Sequence, residues 1–129
     1  MEKRLTYFDL FIGFKNQLIE QENKQGIYRD ILSLDLSASE FIIFYIILPI
    51  ITSFMANNIS EAFKIPADKS SEEDLKAAIE KLKLYELRLN DASKKVLIEK
   101  VIQNLFPYGM TEDQAEDLVD EIIASIKKH

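Results

Sequence analysis

The stretch SASEFIIFYIILPII, residues 37–51, decides the fold. Ser37 and Glu40 stand three residues apart. At that spacing a serine hydroxyl accepts the amide of residue 40 while the glutamate reaches back to the amide of residue 37. Leu36 and Phe41 flank the pair where a hydrophobic staple would close. From Phe41 to Ile51 no side chain is charged or strongly polar. A run so rich in isoleucine also suits a buried strand. The cap selects helix, because a strand has no row of orphan amides at its start. Pro49 then falls inside the helix, where it removes a backbone donor and crowds the Tyr45 carbonyl, so a kink or break is expected there.

Phe41 to Ser60 is free of charge and long enough to cross a bilayer core of about 30 Å. Its second half is a poor membrane solvent, with Thr52, Ser53, Asn57, Asn58 and Ser60, and no cluster of Lys or Arg flanks either end. A helix that is apolar all round is also what the centre of a multi-helix bundle requires. The other segments are amphipathic and need something to pack against. The expectation is therefore an all-α fold: one helical domain over 1–129, built as five or six helices around a central helix at about 37–56.

The remaining segments follow from periodicity. Leu5, Phe8, Phe11 or Ile12, and Leu18 or Ile19 predict a first helix from about Lys3 to Asn23, stopped by Gly26. Ile27 to Leu34 reads as a short amphipathic turn or helix. Beyond the central helix, Ile59 and Phe63 extend the helical spacing until Ile65-Pro66 ends it. A further helix starts at Ser70 or Ser71 and runs to Asn90, with Leu75, Ile79, Leu82, Tyr85 and Leu89 on one face and Leu84 and Leu87 on a second. Asp91 is the expected cap of a segment from Ala92 to Phe106, striped by Leu97, Val101 and Leu105 and stopped by Pro107 and Gly109. Thr111 and Gln114 repeat the capping-box spacing ahead of Leu118, Val119, Ile122 and Ile126.

In 129 residues (14.9 kDa), 47% are hydrophobic and 29% charged, a globular balance. No cysteine is present, which excludes disulfides, thiolate metal sites and a cysteine nucleophile, and fits a reducing, cytoplasmic location. The one histidine, His129, is the last residue and is poorly placed for acid–base work, and no Glu-x-x-His pair exists to build a di-iron site. Glycines at 13, 26 and 109 stand alone, so neither glycine-rich phosphate pattern occurs. No catalytic residue, cofactor or metal site is expected, and the reading is non-enzymatic.

The net charge is −6. Residues 111–129 hold 6 acidic and 2 basic groups, so most of the excess lies at the C-terminus. Glu112, Glu116 and Asp120 form one i, i+4 row, and Asp113, Asp117 and Glu121 form the adjacent one. Like charges so spaced cost a few tenths of a kcal/mol per pair unless something offsets them. This face reads either as a solvated helix surface or as a dock for a basic protein. A second candidate surface is aromatic: Tyr7, Phe11 and Phe14 share one side of the first helix, which is either broadly buried or a partner or self-association patch.

Three functions compete. The first is a soluble protein-interaction module (a small adaptor, accessory subunit or inhibitor) acting through Glu112, Glu116, Asp117, Asp120, Tyr7, Phe11 and Phe14. Its partner would be a protein, basic in character, with a homo-oligomer left open. The second is a membrane-associated subunit or immunity-type protein using residues 41–56. The third is a helix-turn-helix-like regulator around 59–83. There Glu72, Glu73 and Asp74 would meet the nucleic acid and be repelled, so nucleic acid is disfavoured.

Overall fold

Thr6 and Asp9 close on each other where the first helix begins. The Thr6 amide and hydroxyl both donate to Asp9 Oδ2, at 2.8 and 3.2 Å. Helix α1 (Tyr7–Gln25) therefore starts at Tyr7, later than the hydrophobic spacing alone predicts. A computed structural model describes residues 4–25, 38–55 and 72–128. The Ser37–Glu40 capping box, the Ile27–Leu34 segment, the stretch 56–71 and His129 lie outside the described residues, wholly or through one member.

The apolar run forms a rod in three pieces: α2 (Ala38–Ile42), a π-helical turn (Ile43–Ile47) and α3 (Leu48–Phe54). The π turn is the form taken by the expected disturbance at Pro49. The Leu48 amide donates to the Ile43 carbonyl, five residues back, so the turn is wide just where the proline ring would meet the Tyr45 carbonyl. Pro49 then occupies the first turn of α3, where a missing amide costs no helical bond. The polar residues that follow are satisfied locally. Thr52 Oγ1 donates to the Leu48 carbonyl at 2.7 Å and Ser53 Oγ to the Ile50 carbonyl at 2.9 Å. At Met55 the backbone turns extended and the rod ends.

Ile42, Ile46, Ile47, Leu48, Ile50 and Ile51 have no exposed surface. Helix α1 packs along all three pieces of the rod. Fully burying each such side chain contributes about 1.5–3 kcal/mol, so these six are a major source of hydrophobic stabilisation among the described residues. Among the described residues no helix is long and apolar enough to cross a membrane.

Helix α4 (Glu72–Lys81) runs into a 3₁₀ turn at Leu82–Leu84 and stops. The expected continuation to Asn90 is not helical. Tyr85 is extended, the Tyr7 amide donates to the Tyr85 carbonyl at 3.1 Å, and the Leu87 amide donates to the Leu5 carbonyl at 2.8 Å. This isolated antiparallel bridge, centred on Thr6 and Glu86, competes with the helix for the same backbone groups and wins. It also splits the pair expected to share the second face: Leu87 is buried as expected, while Leu84 is 75% exposed.

Helix α5 (Asp91–Leu105) is capped one residue earlier than expected, by Asn90 rather than Asp91. Asn90 Oδ1 accepts the Ser93 amide and Ser93 Oγ accepts the Asn90 amide, both at 2.8 Å. Its stripe of Leu97, Val101 and Leu105 is buried as the spacing predicts, and it packs on α3. A 3₁₀ turn, Phe106–Tyr108, leads to Gly109 at φ +87°, in the left-handed region. The Gly109 amide bonds to the Phe106 carbonyl and the Met110 amide to the Leu105 carbonyl, the two bonds of a Schellman stop.

Helix α6 (Glu112–Lys128) starts at the expected box, with the Thr111 amide donating to Gln114 Oε1 at 2.9 Å and the Gln114 amide to Thr111 Oγ1 at 3.3 Å. Ala115, Leu118, Val119, Ile122 and Ile126 turn inward against α1 and α5. The fold is an all-α bundle, with no strand among the described residues.

Candidate functional site

Burying Leu118, Val119, Ile122 and Ile126 leaves the opposite side of α6 in water. Glu112, Asp113, Glu116, Asp117, Asp120 and Glu121 all lie there, exposed. Glu112 and Asp113 sit in the first turn, where the positive end of the helix dipole favours them. Further along, α5 supplies a cation: Lys94 Nζ lies 2.5 Å from Asp120 Oδ1. The hydrogen bond to Asp120 holds the Lys94 ammonium above its ordinary range against the opposing effect of desolvation, and the charges of Asp120, Glu116 and Asp91 add to it. Lys94 thus offsets part of the like-charge row that the sequence spacing exposes. Both side chains of the pair remain partly open to solvent, so the contact is screened by salt.

These carboxylates do not converge on one point. Among the described residues no group of three or more acids or histidines is arranged to hold a metal ion. Spread along a helix in this way, the acids present an extended negative strip, which suits a row of cationic side chains better than a compact ion.

The aromatic candidates have a different fate. Phe14 is fully buried, Phe11 nearly so, and Tyr7 is 7% exposed. Tyr7 packs against Phe54 with ring centroids 6.1 Å apart, and burial pushes its phenol up from the usual tyrosine range. All three belong to the core that α1 shares with the rod, so of the two readings of this aromatic surface the structure gives the buried one, and Tyr7, Phe11 and Phe14 do not form a partner patch. Phe8, beside them, is half-buried, with the Lys83 ammonium 4.5 Å above its ring.

No family model, curated protein or solved structure matches this chain. The reading of the site accordingly rests on its own geometry. Two residues that the sequence reading passed over belong to that geometry. Lys94 could not be paired with Asp120 from spacing, because the two lie on different helices. Phe106 is 72% exposed in the turn that leads into α6, although it ends an otherwise well-buried stripe. Its neighbours Pro107 and Gly109 mark a turn, which is the signal that the stripe stops before it.

Proposed function

We propose that this chain is a non-enzymatic protein-interaction module, a small adaptor, accessory subunit or inhibitor, that docks a basic partner through the acidic face of α6. The observation that carries this reading is the exposed strip Glu112, Glu116, Asp117 and Asp120, on which Lys94 already sits as an internal cation. A negative strip of this kind accelerates encounter with a positive surface and fixes its register, while contributing less to affinity than the fully buried centre of an interface.

The test is affinity capture of the tagged chain beside the double variant Glu116→Lys, Asp120→Lys. The reading expects a defined basic protein that co-purifies with the parent chain, is released by salt, and is lost from the variant. The variant's helical circular dichroism should be unchanged. Equal capture by both chains at every salt concentration would overturn it and reduce the acidic face to a solubility device.

Use of the 41–56 segment against a membrane has no observation in its favour. The isoleucines of the rod, as far as Met55, are covered by the chain's own helices. About half of the segment joining Ile59 to Lys83 as a helix-turn-helix, residues 59–71, lies outside the described residues.

A further inference from the structure

We draw no further inference here: the strongest candidate, the surface patch around the exposed Phe106 in the turn between α5 and α6, carries nothing because nothing in the structure shows what covers it.

Discussion

A β-carbon added to Gly13 of α1 would stand 2.8 Å from Cγ2 of Ile122 on α6. The two helices are held at a separation that only a glycine permits, and Ile122 has no exposed surface into which it could swing. Its branched side chain is also restricted at χ1.

Gly13→Ala therefore sets two effects against each other. Alanine gains about 1 kcal/mol of helix propensity, while overpacking a filled core costs about 1–3 kcal/mol. The cost is expected to win. Chemical denaturation should show a net loss of stability for Gly13→Ala, and the loss should shrink in the background Ile122→Ala, which vacates the contested space. Equal losses in both backgrounds would mean that α1 and α6 do not meet at this point.

Pro49→Ala restores a backbone donor and removes a helix penalty of about 3 kcal/mol. That gain is available only if the π turn tightens to an α turn. Tightening by one residue would rotate α2 by about 100° relative to α3 and carry Phe41 and Ile42 out of their buried positions. The melting temperature is expected not to rise, and amide exchange in residues 41–44 is expected to quicken. A clear rise in melting temperature with unchanged exchange would show that the π turn serves no packing purpose.

The bridge between Leu5–Tyr7 and Tyr85–Leu87 separates two leucines that periodicity had placed on one helix face. Leu87→Ala is expected to cost about 2–5 kcal/mol, as for a buried leucine. Leu84→Ala should stay within about 0.5 kcal/mol of the parent chain, because its side chain faces water. Thermal melts of the two variants decide the matter, and comparable losses for both would restore the continuous helix.

Lys94 offers a pH signature. Its pKa is raised in the folded chain, so the associated stabilisation is fully present below the unfolded lysine value of about 10.4 and is lost as pH rises through the folded value above it. Nitrogen-detected titration of the lysine ammonium groups should find Lys94 retaining its proton to higher pH than exposed lysines. Asp120→Asn should bring it back among them. High salt should also weaken the effect, since the pair is partly exposed.

What was legible in the sequence was what short-range chemistry controls. Thr111 and Gln114 lie within one turn, Gly109 carries its own backbone preference, and Leu97, Val101 and Leu105 recur at helical spacing. Each appears in the structure where local rules place it. The Asn90 cap was missed by one residue because Asn and Asp compete equally for that position. The end of α4 was missed for a deeper reason. The partner of residues 85–87 is residues 5–7, near the start of the chain, and no local pattern reports a bond of that range. The same holds for the candidate site. Six acids on one face could be counted, but the lysine that meets them comes from another helix, and the burial of Phe11 and Phe14 depends on what packs against α1.

The enclosure of the isoleucine rod by the chain's own helices is tested most directly by residue-resolved native-state hydrogen exchange in detergent-free buffer. Buried amides of a cooperative core exchange only through global unfolding. Ile46, Ile47, Ile50 and Ile51 should therefore be among the slowest in the chain, and unaffected by added lipid vesicles. Rapid exchange at these positions, or protection that appears only once vesicles or micelles are supplied, would contradict the account.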